Sequence, residues 1–311
     1  MISVIVPLYN EEEVILECHR RLTAVLSSMD DTYELIFIND GSRDRTAMLA
    51  ADIAARDEKV RLICFSRNFG HQIAITAGMD YAKGDAMVII DADLQDPPEL
   101  IPKMVEKWRE GYEVVYGKRI KRHGESFFKK ATAKMFYRFL NRMTNMEIPT
   151  DTGDFRLIDR KVCDAMKSLR EQNRYVRGLV SWVGFRQYAL PYVREERFAG
   201  KTKYPLRKML RLASDGIYSF SYKPLTYISV TGGLIAFISL LCLIVALLQR
   251  IFGTVAWSAW ISILAMQMLL NGIILIALGI VGTYIGRIYE DVKGRPLYIV
   301  QETVGFDEKT Q

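Results

Sequence analysis

Residues 86–100 read AMVIIDADLQDPPEL. The opening AMVII is a short apolar run, the pattern of a strand covered on both faces. Asp91, Asp93 and Gln95 then alternate, and Pro97 and Pro98 end the run and open a helix near Pro98. The same grammar recurs upstream. Ile2–Pro7, Leu35–Asn39 and Val60–Phe65 are runs rich in Val and Ile, and between them lie longer segments with helical spacing, such as Val14, Leu22, Val25, Leu26 and Ile53. Strands alternating with helices predict an α/β fold, a Rossmann-like, mostly parallel sheet with helices on both faces. Ligands of such sheets bind beyond the carboxyl ends of the strands.

The polar residues gather at those ends. The first strand runs out into Pro7-Leu8-Tyr9-Asn10-Glu11-Glu12. No GxGxxG follows, and the carboxylates would repel a pyrophosphate, which argues against a dinucleotide-binding dehydrogenase. The second ends in Asn39-Asp40-Gly41-Ser42. Here glycine permits a tight turn, and the carboxylate is free to accept hydrogen bonds from a base or ribose. In the fourth, three oxygen-bearing side chains at alternate positions of an extended segment would project to one side. Hard cations such as Mg²⁺ want oxygen ligands, and a metal there can neutralise the charge that grows on a departing diphosphate. The competing reading is an acidic turn capping the next helix.

The chain has 311 residues and a formal net charge of +6. That balance suits an anionic partner, whether nucleic acid, a membrane surface or phosphorylated substrates. Cys18, Cys64, Cys163 and Cys242 have no CxxC or metal-ligand spacing, and His19, His71 and His123 form no zinc signature. Ile2–Val6 is too short for a signal-peptide core, so the bulk of the chain is expected to stay cytoplasmic.

Composition shifts near Pro224. No charge occurs from Pro224 to Gln249, and after Arg250 a second uncharged stretch runs from Ile251 to Gly286, with Trp257, Trp260 and Tyr284 toward its ends. Two transmembrane helices are therefore expected within 224–286. Lys201, Lys203, Arg207, Lys208 and Arg211 precede them, and Arg287, Lys293 and Arg295 follow. The positive-inside rule puts both termini in the cytoplasm. Ser126–Met143 and Pro205–Tyr222 are basic and amphipathic, suited to the membrane surface or to docking as ordinary helices. Gly282 and Gly286 make a GxxxG, which serves packing within one chain or between copies in a homo-oligomer. The expected organisation is a catalytic domain over 1–200, a juxtamembrane segment over 201–223, the two spans, and a cytoplasmic tail over 287–311.

Taken together, PLYNEEE (7–13), INDGSRDRT (38–46), SRNFGHQIAITAG (66–78), DADLQDPPE (91–99), YGKR (116–119), TGDFRL (152–157), ERFAGKTKYP (196–205) and GRIYEDVKGRP (286–296) resemble glycosyltransferase family 2. The likeness is strongest to its polyprenyl-phosphate members, the bactoprenol glucosyltransferases and, more distantly, the dolichyl-phosphate mannose synthases. It implies a GT-A fold, a UDP-sugar donor, a polyprenyl-phosphate acceptor, a membrane and Mg²⁺ or Mn²⁺, and no nucleic acid. By resemblance, Pro7, Tyr9 and Glu11 contact the nucleotide, and Asp40 the uracil. Asp91, Asp93 and Gln95 lie around the metal and diphosphate, with Asp91 also touching the nucleotide. Arg119 is a cation near the phosphates, and Asp154 is the proposed base. Arg197, Lys201 and Lys203 face the donor diphosphate or the lipid phosphate. Thr202 departs from the family, where many relatives carry Ser.

The expected reaction is an inverting transfer of a hexose, glucose first, with mannose, an N-acetylhexosamine or aminoarabinose as alternatives. A phosphate monoester has a second pKa of about 6, so the acceptor is already ionised and a strong base is less needed. A processive polysaccharide synthase is disfavoured because RYVRGLVSWVG (174–184) does not fit a QxxRW motif. A non-catalytic membrane scaffold is disfavoured by the intact DxD and TGDFRL.

Overall fold

A computed structural model describes residues 1–121, 152–169, 171–194, 221, 223–251 and 259–306. Eight strands form one sheet: β1 (Ile2–Leu8), β2 (Tyr33–Asn39), β3 (Val60–Phe65), β4 (Ala86–Ile89), β5 (Val114–Lys121), β6 (Thr152–Asp159), β7 (Gln187–Val193) and β8 (Val300–Val304). Their order is β7-β5-β6-β4-β1-β2-β3-β8. The middle, β4-β1-β2-β3, is all parallel, and β6 joins β4 antiparallel. The helices of the α/β part are α1 (Ile15–Ser27), α2 (Thr46–Arg56), α3 (His71–Tyr81), α4 (Ile101–Arg109), α5 (Arg160–Ser168) and α6 (Val176–Trp182).

Strand alternation explains the two-sided core. Val4, Val6, Leu35 and Phe37 point to the face covered by Ile15, Cys18 and Leu22 of α1. Ile5, Ile36, Ile38 and Ile63 point to the opposite face, against Ala74, Ile75 and Met79 of α3. Both faces being covered, every residue of β1 and of β2 is buried. Each large apolar side chain so buried contributes roughly 1.5–3 kcal/mol.

Two long helices follow, α7 (Lys223–Ile251) and α8 (Ala259–Val292). Both present exposed apolar side chains, among them Leu234 and Phe237 on α7 and Leu275 and Ile276 on α8. Among the described residues one stretch, Leu269–Val292, is long and apolar enough to cross a membrane. The expectation of two spans thus meets two helices but one qualifying stretch, several side chains of α7 lying outside the described residues. A Cβ at Gly282 or Gly286 would meet nothing within 4 Å, so among the described residues the GxxxG packs against nothing. The segments Ser126–Met143 and, apart from Ser221, Pro205–Tyr222 lie outside the described residues.

The region after Gly286, expected as a tail over 287–311, is built into the fold as far as residue 306. Helix α8 continues to Val292. Its end is tied to the α/β part: Gln172 N–H donates to Asp291 Oδ1 at 2.9 Å, and Asn173 Nδ2 donates to Glu290 Oε2 at 2.7 Å. Tyr298 then stacks on Phe65 with ring centroids 5.1 Å apart. Finally β8 pairs antiparallel with β3, Glu302 opposite Cys64, and becomes the edge of the sheet.

Candidate active site

The site forms where β1 and β4 end and β6 and α3 begin. Strand β4 stops at Ile89, and the acidic segment after it is a turn. Leu94 takes φ 57°, a left-handed conformation uncommon for a side chain of its bulk. Asp93 Oδ1 accepts from Gln95 N–H at 3.1 Å and closes the turn. The alternation expected of an extended segment is therefore absent, and Asp91, Asp93 and Gln95 do not line up by strand geometry.

Asp91 points back toward α3. Its Oδ1 is buried without a hydrogen-bond partner, and His71 Nε2 lies 3.4 Å away, within ion-pair range. Burial, opposed by His71 and reinforced by the carboxylates of Asp154, Asp96 and Asp93, lifts the Asp91 carboxyl to about 6. Asp93 is buried in the same turn. Among the described residues no three His, Cys, Asp or Glu side chains are grouped to hold a metal by themselves. Two carboxylates, one with an orphaned buried oxygen, do fit a Mg²⁺ or Mn²⁺ ion that completes its shell with water and substrate phosphate oxygens.

Asp154, on β6, is buried and fully engaged. Arg177 of α6 grips it with two parallel bonds, Nε to Oδ1 at 2.8 Å and Nη2 to Oδ2 at 3.1 Å. His71 Nε2 sits 3.2 Å from the same Oδ2, and Gln72 Nε2 donates to it at 3.4 Å. Burial works to raise the Asp154 carboxyl, but Arg177 and His71 outweigh it and hold it well below the usual carboxylate range. For His71, burial pulls the imidazole down, while Asp91 and Asp154 prevail and hold it up at about 9. The imidazolium thus bridges Asp91, in the turn after β4, and Asp154 of β6. A carboxylate so acidic and so paired is a poor proton acceptor, which argues for an orienting role rather than the proposed base.

Arg119 of β5 is also committed. Its Nε donates to the Tyr192 hydroxyl at 3.1 Å, its Nη2 lies 3.4 Å from Asp96, and the Tyr192 hydroxyl donates to Asp96 in turn. Arg194 Nε approaches Asp96 at 3.7 Å. Gly153 makes room for this guanidinium, because a Cβ there would collide with Arg119 Nη2.

The side expected to take the nucleotide is built from three cross-laced loops. Pro7 is buried in β1, and Tyr9 stands exposed beyond it. Glu11 N–H donates to Thr46 Oγ1 at 2.8 Å, and Asn10 N–H to Ser42 Oγ at 3.0 Å. Gly41 turns at φ 64°, where a Cβ would come within 2.5 Å of the Arg67 carbonyl carbon. Asp40 is buried and faces the loop before α3, not open solvent: Oδ1 accepts from Phe69 N–H at 2.7 Å, and Oδ2 accepts from Asn68 Nδ2 at 2.9 Å and Gly70 N–H at 3.0 Å. Tyr9, Gly41 and Arg67 border a cavity of about 440 Å³.

Arg197, Lys201 and Lys203 lie outside the described residues. Sequence reasoning missed His71, Gln72 and Arg177. For His71 and Gln72 the available signal was their position, opening the helix that follows a parallel strand, β3.

Comparison with known proteins gives a consistent picture. Residues 3–166 match the family described as Glycosyl transferase family 2. The chain is 57% identical over 307 residues to an uncharacterized glycosyltransferase, YkcC, of Bacillus subtilis (strain 168), covering 99% of this chain and 95% of that one. It is 41% identical to a prophage bactoprenol glucosyl transferase homolog of Escherichia coli (strain K12), covering 96% and 98%. It is 40% identical to the bactoprenol glucosyl transferase of Shigella phage SfII, covering 97% and 98%. Among solved structures, glucosyl-3-phosphoglycerate synthase from Mycobacterium tuberculosis, in complex with Mn²⁺, UDP and phosphoglyceric acid, superposes with a TM-score of 0.51 at 22% identity, over 70% of this chain and 76% of that one. That likeness concerns the GT-A fold.

Proposed function

Because the chain belongs to glycosyl transferase family 2 and is a glycosyltransferase, we propose that it moves a hexose, glucose first, from a UDP-sugar to polyprenyl phosphate at the cytoplasmic face of a membrane. The observation that carries this reading is the 40% identity to a bactoprenol glucosyl transferase over 305 residues, which extends beyond the α/β part through both long helices.

The chemistry is a single displacement with inversion. A phosphate oxygen of the acceptor attacks the anomeric carbon, the bond from that carbon to the donor diphosphate breaks, and UDP leaves with the electron pair. The acceptor dianion needs no strong base, in keeping with the paired state of Asp154. Asp91 and Asp93 would hold Mg²⁺ or Mn²⁺, which when bound offsets the charge of the departing diphosphate. Asp154, fixed by Arg177 and His71, holds the floor of the site, and Arg119 supplies positive potential at its rim. Arg197, Lys201 and Lys203 stand between the α/β part and α7 in sequence, suited to meeting a lipid phosphate. Helices α7 and α8 would keep the enzyme beside an acceptor that cannot leave the bilayer.

The test uses purified full-length protein in detergent with polyprenyl phosphate and a panel of radiolabelled UDP-sugars. Label from UDP-glucose should enter butanol-extractable lipid. Label entering lipid only from another UDP-sugar would replace glucose as the donor. Absence of transfer from every UDP-sugar would overturn the reading.

A further inference from the structure

The cavity beside Tyr9 and Arg67 has a wall that arrives from the far end of the chain: Gln301 and Glu302 of β8 line it. Glu302 is in register with Cys64 on β3, so the two side chains share one face of the sheet, the face on which Asn39 Nδ2 contacts Cys64 Sγ at 3.7 Å. The cavity therefore opens over the carboxyl ends of β2 and β3, where an open α/β sheet takes its ligand.

A nucleoside there must be read by groups with hydrogen-bonding capacity to spare. Asp40 has little. Its two oxygens receive four contacts, from Asn68 Nδ2 and from the N–H groups of Phe69 and Gly70, with Gly70 shared between them. A carboxylate offers about four acceptor sites. Among the amides of the wall, Asn39 Oδ1 accepts from Ser42 N–H at 3.1 Å, and Asn68 is spent on Asp40. Gln301 and Glu302 are both exposed.

We propose that Gln301 and Glu302, on the strand that returns after the two long helices, read the uridine of the donor and set its preference. The proposal rests on the UDP-sugar reading of this site. A primary amide offers a donor and an acceptor side by side, the complement of the imide edge of uracil, while a carboxylate accepts from an imide N–H or from ribose hydroxyls. Both side chains act on the nucleoside and neither on the diphosphate, which places their effect in binding and selectivity.

Calorimetric titration of the full-length protein in detergent with Mn²⁺ tests this, using UDP, GDP and inorganic pyrophosphate as probes. Gln301→Ala and Glu302→Ala should each weaken UDP about 3- to 10-fold, the size of one lost hydrogen bond. The double variant should weaken UDP more than either, shrink the ratio of UDP to GDP affinity, and bind pyrophosphate as the parent does. Melting temperatures should stay within about 2 °C of the parent, as for surface substitutions. A double variant that binds UDP within twofold of the parent overturns the inference, as does an equal loss for pyrophosphate. If the parent transfers sugar from a UDP-sugar while the variants bind UDP normally, this inference alone fails. If the parent binds no UDP, it falls together with the reading it rests on.

Discussion

Arg177 and Asp154 form a two-pronged ion pair, Nε to Oδ1 at 2.8 Å and Nη2 to Oδ2 at 3.1 Å, that fastens α6 to β6 beneath the acidic turn of β4. Their side chains are 20% and 6% exposed, so the pair is largely shielded from water. Losing one partner of such a pair strands the other charge, at a cost of about 3–5 kcal/mol. Arg177→Ala should therefore lower the melting temperature by roughly 6–12 °C and abolish most transfer. Arg177→Lys keeps the charge but not the fork and should fall between. Thermal melts in detergent decide it, and a parent-like melt for Arg177→Ala would remove the clamp from this account.

His71 gives the fold a pH dependence with a definite sign. Its imidazole rises from an ordinary 6.5 to about 9 in the folded protein. The stability it contributes is complete below about pH 6.5 and is lost as pH climbs through about 9, on the order of 3 kcal/mol in total. In His71→Gln that slope should vanish. Melts of parent and variant in metal-free buffer from pH 6 to 10 compare the two directly. Parallel curves would mean that Asp91 and Asp154 do not hold the proton there.

Asp93 closes the acidic turn through Gln95 N–H at 3.1 Å, two residues after Asp91, whose Oδ1 is buried with no hydrogen-bond partner. Asp93→Asn preserves shape and removes charge. Turnover should drop at least ~100-fold, the scale of one strong electrostatic contributor, and EDTA should silence the parent. Full activity of the variant, or of the parent in EDTA, contradicts a metal role.

Asp40 distinguishes a loop anchor from a base reader. Asp40→Asn replaces acceptors with an NH₂ facing the donors of Asn68 and Gly70, leaving buried groups unpaired at about 1–3 kcal/mol each. Melting temperature and UDP affinity should fall together. A loss of UDP affinity with an unchanged melt would favour direct contact with uracil.

Much of the α/β frame was legible because β1 to β4 are covered on both faces and so read as short runs rich in Val and Ile. Strands β5 and β7 were not. YGKRIK within β5 carries three cations, because one end of it forms the rim of the site, and β7 lies at the edge of the sheet with Pro191 in it. Strand β8, VQETV, is half-exposed on an edge and too polar to signal pairing. At the site, the carboxylates announced themselves through motif spacing, but their counter-ions did not. His71 and Arg177 reach Asp154 across 83 and 23 residues, contacts that only the packing of α3 and α6 on the sheet creates.

The pairing of β8 with β3 has a topological consequence. The sheet holds the chain both before α7 and after α8, so any excursion of the intervening segment across a membrane must return to the side it left. Such a path crosses an even number of times. A lone crossing by Leu269–Val292 is incompatible with Val300–Val304 lying in the sheet. If α8 traverses the bilayer, α7 must traverse it in the opposite sense, whatever its own hydropathy.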